Sequence, residues 1–189
     1  MLSEYIRATD GPNLPQLDVL ELDPDSPLRP MLQGARTYAR TYFRPGETPG
    51  AIRQDGARME DITQLTYSDG SLDLIVSSDV LEHVPDAATA FAETFRVLRP
   101  GGRHVFTVPN EPATVRRAEI ADGEVRHLIE PPEYHSDPLD ALGILAFWHF
   151  GRDLPDFFAD TGLEFRVVKG PEGKARRIVW EARKPAHGA

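Results

Sequence analysis

Short apolar runs alternate with helically spaced apolar positions along most of this chain. Leu17-Asp18-Val19-Leu20-Glu21-Leu22 reads as a strand, and Thr37 to Phe43 as a second. Leu72-Asp73-Leu74-Ile75-Val76-Ser77 follows an Asp69-Gly70 turn and reads as another. From Asp86 to Leu98 the residues Ala88, Phe91, Ala92, Phe95 and Leu98 recur at helical spacing, which predicts a helix with one face against a sheet. It stops at Arg99-Pro100-Gly101-Gly102, because proline cannot continue a helix and glycine takes the left-handed cap. His104-Val105-Phe106-Thr107-Val108 is then a buried strand. Asp153 to Gly162 is predicted as a last helix, with Leu154, Phe157 and Phe158 on one face. Leu163 to Val168 and Arg177 to Ala182 close the chain as two strands joined by a Gly-Pro-Glu-Gly turn.

That order predicts an α/β fold, a mainly parallel sheet with helices on both faces and an antiparallel terminal strand. Ligands of such sheets sit at the carboxyl ends of the strands, so the segments following each strand are where chemistry is expected. With 189 residues the chain fits a single domain, 1–189, comprising an N-terminal arm (1–16) and an insertion over the cleft (110–152).

Composition narrows the function. The absence of cysteine excludes disulfides, thiolate nucleophiles, cysteine-ligated zinc and iron–sulfur clusters. A net charge of −9 argues against a nucleic-acid partner, and the densest basic run, Lys174-Ala175-Arg176-Arg177, reads as a solvated strand edge. The longest apolar stretch, Leu142 to Phe150, is interrupted by Gly143 and His149 and falls far short of the ~20 residues a bilayer requires, so no membrane partner is expected. Met1-Leu2-Ser3-Glu4-Tyr5 lacks the basic head and apolar core of a signal peptide, which makes the cytoplasm the expected location.

Glu60-Asp61-Ile62-Thr63-Gln64-Leu65 runs through Asp69-Gly70 and the strand at Leu72 into Ser77-Ser78-Asp79-Val80-Leu81-Glu82-His83-Val84. Arg96-Val97-Leu98-Arg99-Pro100-Gly101-Gly102 and Phe106-Thr107-Val108-Pro109 follow in order. Over 60–109, about a quarter of the chain, this resembles the class I S-adenosylmethionine-dependent methyltransferases, in particular the small-molecule branch called methyltransferase type 11. The resemblance implies a Rossmann-like fold, S-adenosylmethionine as cofactor and methyl transfer to O, N or C of a small-molecule acceptor. It assigns Asp61 as the acceptor for the adenine amine, a role suited to a carboxylate because that amine only donates. Ile62 would offer its backbone N–H to an adenine ring nitrogen. Ser78 and Asp79 would line the methionine end, and Glu82-His83 lies at the same rim. His83 is a candidate proton acceptor.

The chain departs from the family pattern in three places. After Val19-Leu20-Glu21-Leu22, where an acid (Glu21) leads into a glycine-rich loop in the family, the sequence reads Asp23-Pro24-Asp25-Ser26-Pro27. Two prolines remove two N–H donors, and two aspartates add negative charge where a carboxylate should bind. Two readings follow. In one, Ser26 caps a short helix begun by Pro27, and Asp23 or Asp25 faces the cofactor's ammonium or sulfonium. In the other, the pocket is impaired and the chain is a non-catalytic binding or scaffold module. The second departure is at Arg40-Thr41-Tyr42, which contains no acid to clasp the ribose hydroxyls. Finally, only the arm 1–16 precedes the first strand, so part of the usual lid is expected to be missing or supplied by a homodimer mate or partner subunit.

The 110–152 insertion is expected to select the acceptor. It carries a polar patch read as helical, then Tyr134, His135 and Asp137, a phenol, an imidazole and a carboxylate within four residues. These either bind or deprotonate the acceptor, or Tyr134-His135 caps a turn while Trp148-His149-Phe150 packs. The catalytic candidates are therefore His83, His135 and Tyr134. Although His135 and His149 could in principle share a metal, no spacing motif supports it and none is predicted.

Overall fold

The computed structural model describes residues 1–135, 143–170 and 177–186. The chain opens with α1 (Leu2–Asp10) and a 3-10 turn at Leu14–Gln16. It continues through β1 (Asp18–Glu21), α2 (Arg29–Leu32), β2 (Thr37–Tyr42), β3 (Arg58–Met59) and β4 (Leu72–Ser78). A 3-10 turn at Leu81–His83 leads to α3 (Ala87–Val97) and the long β5 (Leu98–Pro109). Six short strands build the insertion: β6 (Val115–Arg116), β7 (Ala118–Ala121), β8 (Glu124–His127), β9 (Tyr134–His135), β10 (Ile144–Leu145) and β11 (Trp148–His149). The chain ends with α4 (Leu154–Phe157), a 3-10 turn at Ala159–Thr161, β12 (Glu164–Lys169) and β13 (Arg177–Arg183).

Seven strands form the main sheet in the order β12-β13-β5-β4-β1-β2-β3. The five from β5 to β3 are parallel, whereas β13 runs antiparallel to both neighbours. Strand order reverses between β1 and β4, which places a crevice at their carboxyl ends. Alternate residues explain why the sheet is buried on both sides. Leu20, Ile75, Phe106 and Trp180 pack with Ala87, Ala90 and Phe91 of α3 and with Leu154 and Phe158. Val19, Leu74, Val76, Val105 and Val179 pack on the other face with Leu2, Ile6 and Leu32. The N-terminal arm is thus a helix seated on the sheet.

Asp86 caps α3 by accepting the Thr89 N–H at 3.0 Å and the Thr89 hydroxyl at 2.7 Å. The helix ends at Val97 with Leu98 extended as its C-cap, so the expected glycine cap does not form; Gly101, at φ 82°, lies within β5, where the chain has already turned into the strand. The buried stripe of α3 is Ala87, Ala90, Phe91, Thr94 and Val97, while the expected Ala88 and Ala92 are exposed. The stripe is rotated because polar Thr94 is buried and the small Ala87 and Ala90 allow close approach to the sheet. The last helix is also shorter than its pattern: α4 ends at Phe157, which is exposed, and only a 3-10 turn follows. The polar patch read as helical is instead a β7–β8 hairpin turning at Asp122-Gly123, both at positive φ. Asp-Gly between alternating residues is a hairpin signal, and Ile120 and Val125 beside it are exposed. The helix expected from Pro27 begins at Arg29 with Pro30 in its first turn, although Ser26 Oγ does accept the Leu28 N–H at 2.9 Å. Most of the Gly-Pro-Glu-Gly turn, and Asp137, lie outside the described residues. Among the described residues no helix is long and apolar enough to cross a membrane.

Charge clasps the amino ends of the strands, opposite the crevice. Asp73 Oδ2 accepts the Asp18 N–H at 2.8 Å, and Arg99 reaches Asp73 at 2.7 Å and Asp18 at 2.9 Å. Hydrogen bonding from Arg36 holds the Asp18 carboxyl well below the usual range. The interior carries one notable base, His104 of β5, fully buried with Nε2 2.8 Å from Ser77 Oγ and its ring 5.0 Å from Phe106. Burial pushes it from its ordinary 6.5 down to about 3. The unfolded chain therefore takes up a proton below about pH 6.5 that the folded chain refuses until about pH 3. Stability contributed by the neutral imidazole is complete above pH 6.5 and falls by ~1.4 kcal/mol per pH unit below it. Urea unfolding between pH 7 and pH 4 is expected to show His104→Gln losing this share of the slope relative to wild type.

Candidate active site

The carboxyl ends of β3, β4 and β5 converge on a rim of polar side chains. At the end of β3, Asp61 Oδ1 accepts the Thr63 N–H at 2.8 Å and the Thr63 hydroxyl at 2.7 Å. Asp61 Oδ2 accepts nothing and the Ile62 N–H donates to nothing among the described residues. An acceptor and a donor thus stand side by side without partners. At the end of β4, Ser78 Oγ lies 2.9 Å from Thr107 Oγ1 of β5. Asp79 adopts a left-handed backbone, φ 52°, uncommon for a residue with a side chain. Three contacts impose it: the Asp79 N–H donates to the Thr107 carbonyl at 3.0 Å, Thr107 Oγ1 reaches the carboxylate at 3.4 Å, and Arg177 of β13 pairs with that carboxylate.

After β1, Glu21 is 1% exposed and its carboxylate accepts the Tyr38 hydroxyl; burial raises its pKa. Asp23 Oδ1 accepts the Asp25 N–H at 2.8 Å, so the glycine-free loop is braced by its own side chains. Arg40, 7% exposed, donates to the Pro24 carbonyl at 2.6 Å and to the Asp55 carbonyl. The position where the family pattern calls for an acid therefore holds a cation that ties the loop down.

The insertion docks on the turn after β4. The Phe147 N–H donates to the Glu82 carbonyl at 2.7 Å, and the Trp148 indole N–H reaches the Pro85 carbonyl at 3.4 Å. His83 Nδ1 lies 2.9 Å from the Leu145 carbonyl, and the His83 and His135 rings meet edge to face at 4.8 Å. His135 Nε2 is 3.3 Å from Glu133 Oε1, and His149 Nε2 is 2.8 Å from Glu133 Oε2. Burial opposes ionisation of Glu133, yet the His149 and His135 contacts and the Arg117 charge outweigh it and hold its carboxyl low. Glu82 is 1% exposed, neither carboxylate oxygen has a hydrogen bond although His135 Nδ1 stands 3.8 Å from Oε1, and burial pushes its pKa up to about 8.

A family model described as a methyltransferase domain matches residues 31–106. The chain is 52% identical over 111 residues to an uncharacterized 37.1 kDa protein of a transposon from Streptomyces fradiae, covering 57% of this chain and 29% of that protein. Its fold is similar to a solved S-adenosylmethionine-dependent methyltransferase from Mesorhizobium loti, with TM-score 0.60, 18% identity and 96% of each chain covered. Residues 31–106 thus match a methyltransferase domain, and the fold is that of solved S-adenosylmethionine-dependent methyltransferases. S-adenosylmethionine is the cofactor of that family. A further solved relative in fold is a Burkholderia thailandensis 1,6-didemethyltoxoflavin N1-methyltransferase with bound S-adenosylhomocysteine, at TM-score 0.57, 18% identity, 97% of this chain and 76% of that one. The chain thus spans less than a third of the transposon protein it matches.

The residues present fit this cofactor at its purine end, where Asp61 Oδ2 and the Ile62 N–H offer the complement of the adenine edge. At the other end, the loop after β1 carries the carboxylates of Asp23 and Asp25 where the family pattern has glycines, with Asp23 Oδ1 turned to the Asp25 N–H. The structure brings His83 and His135 together but not Tyr134, which is 49% exposed and points to the opposite face of β9 from its neighbour. His149 meets His135 through Glu133, with no metal needed between them. Glu133, Thr107 and Arg177 were not singled out from the sequence, and Glu82 was placed at the rim without a role. Glu133 carried a usable signal, since it lies two residues from His135 and so on the same strand face.

Trp148 stacks on Phe150 at 6.0 Å and meets Phe158 edge to face at 5.8 Å, anchoring the insertion to the domain. Trp148→Ala is expected to cost ~3 kcal/mol and to expose 110–152 to limited proteolysis while the sheet stays protected.

Proposed function

We propose that the chain binds S-adenosylmethionine along the carboxyl edge of the sheet and transfers its methyl group to O, N or C of a small-molecule acceptor beneath the insertion. What supports this reading most is the unpartnered pair at the end of β3, the Asp61 Oδ2 acceptor beside the Ile62 donor. The bound cofactor supplies an already activated methyl group on a sulfonium. What remains for the protein is to align a nucleophile, take its proton where it has one, and exclude water. His83 and His135, at the rim and under the insertion, are the proton acceptors in this reading. Ser78 and Asp79 line the methionine end, and Trp148 with Phe150 shields the insertion side. Glu21 serves by closing the pocket floor with Tyr38. Nucleic acid and membrane have no part in it, and the expected setting is the cytoplasm.

Calorimetry with S-adenosylhomocysteine tests it. Micromolar binding is expected, weakened by roughly 10- to 100-fold in Asp61→Ala, the loss of a charge-assisted hydrogen bond worth ~1.5–3 kcal/mol. Absence of heat at millimolar ligand with folded protein would sink the transferase and favour the non-catalytic module, the reading to which the glycine-free, Arg40-tethered loop points.

A further inference from the structure

We propose that Glu82, His83 and His135 form a binding site for one divalent transition-metal cation of the zinc class. One ligand atom from each of the three lies within 4.8 Å of the others. The carboxylate is the decisive member. Glu82 is 1% exposed, and both of its oxygens lie buried without a hydrogen bond. A carboxyl left so in the interior costs several kilocalories per mole unless something pairs with it.

The two imidazoles are oriented as ligands require. The Leu145 carbonyl 2.9 Å from His83 Nδ1 can only accept, so Nδ1 carries the proton and Nε2 the lone pair. The Glu133 carboxylate 3.3 Å from His135 Nε2 likewise accepts, which leaves the lone pair of His135 on Nδ1. That Nδ1 is the nitrogen facing Glu82 Oε1, at 3.8 Å. Metal-bound histidines commonly donate their other ring N–H to a carbonyl or a carboxylate, and here each does one of the two. Ligands around zinc at ~2.0–2.2 Å stand ~3.3 Å apart, so from the 4.8 Å limit closure by at most about 1.5 Å assembles the site. Rotation of the partly exposed His135 side chain supplies it.

Two nitrogens and one carboxylate select a borderline cation such as Zn2+ or Co2+ over Mg2+. Three protein ligands leave a coordination position open. Since His83 and His135 are partly exposed and Glu82 is not, a small oxygen ligand would approach from the imidazole side. Binding of the cation requires neither cofactor nor acceptor and is measured without them, but it occupies the ring nitrogens that take the acceptor's proton in the proposed transfer, so a loaded site excludes that role for His83 and His135.

Titration of the whole metal-stripped chain with Co2+, followed by its visible d–d absorption, tests the assignment. One equivalent is expected to bind, to be displaced by Zn2+ and to resist millimolar Mg2+. Glu82→Gln and His135→Ala, each checked for folding by circular dichroism, are expected to weaken binding about tenfold or more. His135→Ala keeps the test open should the buried glutamate variant fail to fold. His127→Ala, in the distal β7–β8 hairpin, is expected to bind as wild type does. Folded wild type that takes up no Co2+, equal displacement by Mg2+, or unchanged affinity in His135→Ala would each overturn the proposal.

Discussion

A parallel sheet has no solvated face, and everything else in this molecule follows from that constraint. Val19 and Leu20, Leu74 and Ile75, Val105 and Phe106 alternate between two apolar layers, so β1, β4 and β5 turn mainly apolar side chains to both faces, the buried Ser77–His104 pair excepted. Polar groups are driven to the strand ends. At the amino ends they become structural, with Asp18, Asp73, Arg36 and Arg99 clasping four strand starts. At the carboxyl ends, Asp61, Ser78, Asp79 and Thr107 form the rim on which the proposed chemistry rests.

The two ends of the crevice have diverged in character. The end at β3 keeps an open acceptor and donor in Asp61 and Ile62, whereas the end after β1 is closed by internal bonds. Asp23 braces Asp25, Tyr38 holds Glu21, and Arg40 fastens Pro24. Where the family pattern has glycines, this loop carries carboxylates and is held by its own side chains and by Arg40. The insertion adds a second chemistry, for its strands deliver His135, Glu133 and His149 to a turn that already carries Glu82 and His83.

Much of the fold was legible in the sequence because burial imposes period. The strands at 17–22, 72–77 and 104–108 and the helix at 86–98 stood out through their apolar spacing and their Gly and Pro boundaries. The errors came where local pattern lacked a tertiary reference. The α3 stripe shifted because Thr94 was counted as polar yet is buried. The helix after Asp153 stopped early because Phe157 has no surface to pack on. The β7–β8 hairpin was missed although Asp122-Gly123 announced it, its exposed strands having no hydrophobic alternation strong enough to be seen.

That Asp61, Ile62, Ser78 and Asp79 stand at strand ends was legible from order and distance along the chain, since a strand end is a local event that its own residues determine. The meeting of Glu82, His83 and His135 was not, because it joins positions more than fifty residues apart through a chain segment whose course depends on docking Phe147 and Trp148 against the turn after β4. By itself the sequence determined the two-faced sheet, written in short-range periodicity, and the place of Asp61 just past a strand end. Only the tertiary structure decided which histidine meets which carboxylate and that Glu82 is buried without a hydrogen bond, because solvent exclusion belongs to packing between distant segments and to no segment alone.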